Sequence, residues 1–311
     1  MRKIQTVLGE ISADELGVTY CHDHLYFMPP EPLAAQDVDM RLDSVEAAIN
    51  ELESFKQAGG NALVEMTTLE MGRDPRKMKA ISRAAGVHVI AATGYNQGKF
   101  CEALIRDKSV DDLAREEIQD LMVGMDGTDI RAGVVKASSG FNQISTAEHK
   151  LFEAAAIAYQ ETGAPVSTHT EKGTMALEQI RILTAGGVAP EHIIIGHSDR
   201  NMDWAYFQAM ADRGVMIGFD QIAKEKYAPD EVRLDFIKRL IAAGYGKQIM
   251  LSLDMARRSS WPSFGFGNGP GLTFVLWRFV PWMLQSGVSR EAVDDILVHN
   301  PARAFAWVTP S

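Results

Sequence analysis

Cysteine is nearly missing from this chain. Cys21 and Cys101 are the only two in 311 residues. They offer no disulfide framework and no CxxC pair, so a reducing, cytoplasmic setting is expected. Long apolar runs are missing as well. No stretch approaches the roughly 20 apolar residues of a membrane span, and the opening MRKIQTVLGEISADELG has no signal-peptide core. Positive charge is scarce: 31 Lys and Arg stand against 41 Asp and Glu, a net charge of −10. Nucleic acid needs a basic face, so it is not an expected partner. A small anion needs only two or three local cations and stays open. No GxGxxG follows the first strand candidate, which argues against a doubly wound dinucleotide fold. No linker or low-complexity tract breaks the chain, so one domain over residues 1–311 is expected.

Short apolar runs alternate with longer helical patterns from end to end. The strand candidates are Val18–Leu25, Ala62–Thr67, Val87–Gly94, Ala132–Ala137, Pro165–Thr170, Ile193–His197, Val215–Asp220 and Ile249–Asp254. Between them lie stretches such as DSVEAAINELESFKQAGG, TAEHKLFEAAAIAYQETG and PDEVRLDFIKRLIAAGYG. Each carries a Ser, Thr or Asp near its start, apolar residues three and four apart, and Gly at its end. Eight strands alternating with helices predict a single (β/α)8 TIM barrel of the α/β class. Residues 1–17 are expected to form a hairpin or cap. Residues 256–272, RRSSWPSFGFGNGPGLT, read as a long loop after the last strand that could join a substrate lid.

In such a barrel the catalytic groups gather at the C-terminal ends of the strands. His22 and His24 end the first strand candidate, Lys136 lies near the end of the fourth, and His169, His197 and Asp254 end the fifth, sixth and eighth. Strand side chains alternate faces, so His22 and His24 should point one way and Cys21 and Asp23 the other. A lone strand histidine is more often a core residue than a ligand. Four at strand ends with an aspartate make a joint case for metal. Lys136 lies in the apolar strand AGVVKASSG. A buried lysine needs a carboxylate or anion partner, or it has a lowered pKa that leaves its amine neutral and able to take up CO2. The carbamate so formed could bridge two cations.

These residues sit in stretches that resemble the phosphotriesterase family of the amidohydrolase superfamily: TVLGEISADELGVTYCHDHL, GVVKASSG, PVSTHTEKG, IIIGHSD, GFDQI, LSLDMA and NPARAF, in order along nearly the whole chain. The resemblance implies a metal-dependent hydrolase with two divalent ions, most fittingly zinc. His22, His24 and Asp254 would hold the more buried ion and His169 and His197 the more exposed one, with carboxylated Lys136 as the bridge. Asp254 would also serve as proton acceptor. His88, His149, His192 and His299 match no ligand position. The resemblance further implies a homodimer.

The loops after the strands should choose the substrate. Tyr95 and Asn96 follow the third strand, Gln221, Lys224 and Lys226 the seventh, and Arg257 and Arg258 the eighth. The grouping resembles a subgroup that hydrolyses phosphorylated sugar lactones, where a Lys in a KxKY stretch and an Arg after the metal-binding Asp hold the phosphate. Lys226 and Arg257 match. The subgroup's Tyr three residues beyond the Arg is Ser260 here. A small-molecule substrate, an anionic sugar-acid lactone, is therefore expected. The alternative is a phosphotriesterase or aryl esterase, whose apolar pocket Trp261, Phe264 and Phe266 could line. Two other readings are a metal-stabilised binding protein without turnover and a mononuclear deaminase. The complete ligand set disfavours the first, and the second would not need Lys136.

Overall fold

The computed structural model describes residues 2–31, 33–265 and 268–309. Its N-terminus is an antiparallel hairpin of β1 (Lys3–Thr6) and β2 (Gly9–Ser12). Eight parallel strands follow: β3 (Thr19–Asp23), β4 (Ala62–Glu65), β5 (His88–Gly94), β6 (Val134–Ser139), β7 (Val166–Thr170), β8 (Ile193–Gly196), β9 (Met216–Phe219) and β10 (Ile249–Leu251). They pair in sequence order, with helices between them. The barrel is nearly closed. Where β10 returns to β3, Asp254 N–H donates to the His22 carbonyl at 3.2 Å. The eight predicted strands are present, with some ends shifted. His197 and Asp254 fall beyond β8 and β10 because their backbones turn to φ 57° and 49° and leave the ladder.

The helices form where start signals satisfy their first free N–H groups. Ser44 caps the helix Val45–Gln57 by accepting from Ala47 N–H. Ser145 and Glu148 form a reciprocal capping box on Thr146–Thr162. Two packing layers result. Ala62 and Val64 of β4, Ile90 and Ala92 of β5, Val134, Ile194, Met216 and Met250 fill the barrel interior. Their neighbours Leu63, Val89, Ala91, Val135 and Ile217 pack outward against the helices. Among the described residues no helix is long and apolar enough to cross a membrane.

One strand breaks the alternation that the sequence suggests. The β3–β4 register shifts between Tyr20 and Asp23, a bulge-type irregularity. Tyr20 faces outward, 4.5 Å from the Phe55 ring. Cys21 packs in the interior cluster rather than outside it. Cys21 therefore faces inward, not outward as expected: Tyr20 pairs with Leu63 on the outward face, so the next residue turns in before the register shifts. Its thiol is pushed well above the usual range by burial and by Asp220 and Asp23.

Candidate metal centre and substrate cavity

The metal-ligand candidates come from five strands, with His22 and His24 sharing the end of β3, and most are oriented by a second buried group. His24 Nδ1 lies 2.7 Å from Thr67 Oγ1, and that hydroxyl donates to Glu65 Oε1 at 2.5 Å. The Thr67 hydrogen is spent on Glu65, so His24 Nδ1 donates and its Nε2 carries the lone pair, 3.3 Å from Asp254 Oδ1. Asp220 does the same for His197. Its carboxylate takes the ring Nδ1 at 2.7 Å and the His197 backbone N–H at 3.0 and 2.9 Å. His197 Nε2 then comes within 2.8 Å of His169 Nδ1. His169 Nε2 lies 2.7 Å from Gln97 Nε2, which also donates to Glu171 at 2.7 Å. Gly196 lets this corner close, because a Cβ there would meet the Thr168 carbonyl at 2.3 Å and His22 Nδ1 at 3.2 Å.

Asp254 is held from both sides by a residue read from sequence only as pointing away. Asp23 is fully buried. Its Oδ2 accepts from Ser252 Oγ at 2.8 Å and its Oδ1 from Met255 N–H at 2.7 Å. That grip flanks Asp254 and helps fix its left-handed backbone. Burial pushes the Asp23 carboxyl up to about 7, against the hydrogen bonds it accepts. Lys136 stands two residues after the interior Val134, on the same face. It is 2% exposed, and its Nζ donates to the Met66 carbonyl at 2.8 Å. Burial lowers its pKa against the pull of Asp254 and Glu70.

The six candidates His22, His24, Lys136, His169, His197 and Asp254 line one pocket of about 140 Å³. Two triads there have ligand atoms within 4.8 Å of one another: His22, His24 and Asp254, and His22, His197 and Asp220. Both His22 ring nitrogens are buried without a hydrogen-bond partner. Burial and the neighbouring His197 push its pKa well down, and burial takes His169 to about 3. A neutral imidazole with unclaimed lone pairs, as at His22, grouped with His24 and the Asp254 carboxylate, is the kind of donor set a divalent cation requires. Burial works against the Asp254 charge, but Lys224 and His197 hold that carboxyl well below its usual range. The residues present therefore fit bound metal. The other histidines stand apart: His192 meets Tyr159 Oη at 3.1 Å, His149 pairs with Glu153 at 3.5 Å, and His88 and His299 join neither triad.

The substrate candidates divide. Asn96 lines the metal pocket. Tyr95 does not: its hydroxyl donates to Glu116 at 2.8 Å and accepts from Lys108, in a separate crevice behind β5. Gln221, 1% exposed, donates to Asp254 at 2.8 Å and Asp220 at 3.1 Å and so braces the metal pocket. Lys224 reaches Asp254 Oδ2 at 2.7 Å and Gln221 Oε1 at 3.0 Å. Lys226 and Arg257 line a second cavity of about 530 Å³ with Lys224, Ser259 and Ser260. It adjoins the metal pocket through Met40, Asp254 and Ala256, which line both.

The loop 256–272 is tied down where it could be pictured as a free lid. Asp39 accepts from Ser259 N–H at 2.7 Å, Glu51 from Leu272 N–H at 2.8 Å, and the Leu272 carbonyl takes Tyr20 Oη at 2.7 Å. Trp261 is fully buried against Phe264 and does not wall the cavity. Phe266 lies outside the described residues.

The profile of the Phosphotriesterase family matches residues 2–305. The chain belongs to the phosphotriesterase family. It is similar to the phosphotriesterase homology protein of Escherichia coli, at 36% identity over 95% of this chain and all of the relative. The structure of that protein, with phosphate in its active site, superposes with a TM-score of 0.89, covering 94% of this chain and 99% of the other at 35% identity. A phospho-furanose lactonase of Mycoplasmopsis synoviae is 35% identical over 97% of this chain and 91% of its own. A lactonase structure from Listeria monocytogenes gives a TM-score of 0.94 at 33% identity, covering 99% and 100%. The family is one of binuclear metal hydrolases, and this member is an enzyme that hydrolyses ester bonds.

The supporting residues were the part missed from sequence. Asp220 stands in GFDQI, Asp23 between the two histidines of CHDHL, and Glu65 and Thr67 in VEMTT. A carboxylate at a strand end among apolar residues was the available signal.

Proposed function

We propose that the protein opens the ring of a small sugar-acid lactone that carries an anionic group, with phosphate the best fit. The observation that carries this reading is that two spaces adjoin: the histidine-lined pocket shares Met40, Asp254 and Ala256 with a cavity whose polar wall includes Lys224, Lys226 and Arg257. A lactone ring fits the first and its anion the second. His22, His24 and Asp254 would hold one divalent cation and His169 and His197 another, with a Lys136 carbamate between them and zinc the fitting metal. When bound, such ions supply Lewis acidity and lower the pKa of water toward neutrality.

The chain's own residues do the rest. Asp254 is placed to take a proton from the attacking water and return it to the ring oxygen as the C–O bond breaks. The product is a hydroxy acid with one more negative charge than the substrate. Asp220, Thr67 and Glu65 keep the imidazoles turned toward the pocket. Lys226 attracts the anion, and the buried Gln221 keeps Asp254 in place. We place the enzyme in the cytoplasm as a homodimer; a single-chain mass in sedimentation would remove the dimer.

The test compares hydrolysis of the same γ-lactone with and without phosphate, beside a chromogenic phosphotriester. A charge-assisted hydrogen bond is worth about 1.5–3 kcal/mol, so the phosphorylated lactone should be preferred by about one to two decades in kcat/KM. Preference for the phosphotriester, or for the neutral lactone, overturns the reading.

A further inference from the structure

Arg257 reads from sequence as a free cation beside the metal site. In the fold both its terminal amino groups are engaged. Nη2 donates to Asp37 at 2.8 Å and Nη1 to Asp39 at 3.0 Å. Asp39 also accepts from Ser259 N–H at 2.7 Å and Ser259 Oγ at 2.8 Å. Arg258 pairs with Asp43, and its Nε donates to the Arg41 carbonyl at 2.7 Å. The segment after β3 is thus strapped to the segment after β10. Met40, between the strapped residues, lines both the metal pocket and the cavity.

The strap changes the charge that a substrate meets. Lys224 is occupied by Asp254. Arg257 is paired with Asp37 and Asp39, and Glu225 lines the cavity beside Lys226. Among the described residues Lys226 is exposed and makes no ion pair, so it is the open cation of this rim. We infer that Asp37 and Asp39 are specificity-determining residues whose carboxylates set how strongly the cavity distinguishes substrates by charge. This rests on the lactonase reading above. An incoming anion must share Arg257 with two carboxylates, so binding is weaker than a free arginine would give. Ring opening adds a carboxylate, so the same repulsion acts more strongly on the product than on the substrate and favours its release.

The magnitude follows from Coulomb's law. A unit charge about 8 Å away across a solvent-open rim changes the binding of a monoanion roughly threefold and of a dianion roughly tenfold. Asp37→Asn is the cleaner probe, because the side-chain partner of Asp37 is Arg257 whereas Asp39 also holds Ser259. With metal-loaded protein, the ratio of kcat/KM for phosphorylated over unphosphorylated lactone should rise about threefold to tenfold. Added salt should shrink that gain. Inhibition by the hydroxy-acid product should tighten by a larger factor than KM falls. An unchanged ratio, or a gain insensitive to salt, overturns the inference. Ribose 5-phosphate carries the anion without a scissile ring, and calorimetry of its binding gives a separate readout. If the wild type opens no lactone, the lactonase reading fails. The strap is then judged by whether ribose 5-phosphate binds Asp37→Asn about threefold to tenfold more tightly, equal binding refuting it.

Discussion

Replacing Lys136 by methionine should separate stability from function. Lys136 is 2% exposed, and its single hydrogen bond runs to the Met66 carbonyl at 2.8 Å. Methionine keeps the length and apolar stem but removes the amine. Losing the hydrogen bond and leaving that carbonyl unpaired costs about 1–3 kcal/mol. Removing a buried amine, which must either hold its charge out of water or give up its proton on folding, recovers several kcal/mol. The second effect is larger, so metal-stripped Lys136→Met should be more stable than metal-stripped wild type by ~1–3 kcal/mol. At about 2–4 °C per kcal/mol in a chain somewhat smaller than this one, the midpoint should rise by several degrees. The loaded protein should behave in the opposite sense. Without an amine to take up CO2, metal content should fall from two ions per chain toward one and kcat/KM by at least about a hundredfold. A short carboxylic acid should partly restore Lys136→Ala but not Lys136→Met, whose side chain fills the space. The assays are calorimetric melting of stripped protein, metal analysis after dialysis, and lactone turnover. Two ions per chain and wild-type turnover in Lys136→Met would refute the carbamate, and a stripped variant that melts well below stripped wild type would refute the cost assigned to the buried amine.

Three further outcomes can be checked. Asp220→Asn should weaken metal binding about ten- to hundredfold, because His197 loses the carboxylate that fixes its tautomer; chelator competition that finds no change sinks this role. Arg233→Met should cost about 3–5 kcal/mol in chemical denaturation, since the fully buried guanidinium pairs with Asp199 at 2.7 Å and Asp230 at 2.9 Å and both would be left unpaired; a loss below about 1 kcal/mol would count against it. Glu117 is 1% exposed with both oxygens unpartnered, and burial, aided by Asp120 and Glu116, pushes its pKa well up. Above the unfolded value of about 4.3 the unfolded chain releases this proton while the fold retains it, so stability falls as pH rises through that window. Glu117→Gln should therefore raise the melting temperature more at pH 8 than at pH 5, and an equal shift at both would contradict the assignment.

The barrel was legible because its signals are local. Alternating apolar strands, capped helices and terminal glycines each report within a dozen residues. The candidate metal positions were legible for a related reason: a parallel barrel delivers every strand end to one face, so His22, Lys136, His169 and His197 could be placed together from strand ends alone. What the chain could not reveal on its own is how distant segments answer one another. The inward turn of Cys21 follows from the pairing of its strand with β4, which sets Tyr20 beside Leu63 on the outward face. Tyr95 turns away because Glu116 and Lys108, on a helix and loop further along, capture its hydroxyl. Arg257 looked free because its carboxylates, Asp37 and Asp39, lie some 220 residues earlier. Hydrogen bonds and ion pairs act over a few ångströms, and only closure of the barrel brings the loop after its first strand to the loop after its last. Sequence therefore determined which groups line the candidate metal pocket. Tertiary structure decided which of the surrounding charges remain available to a substrate.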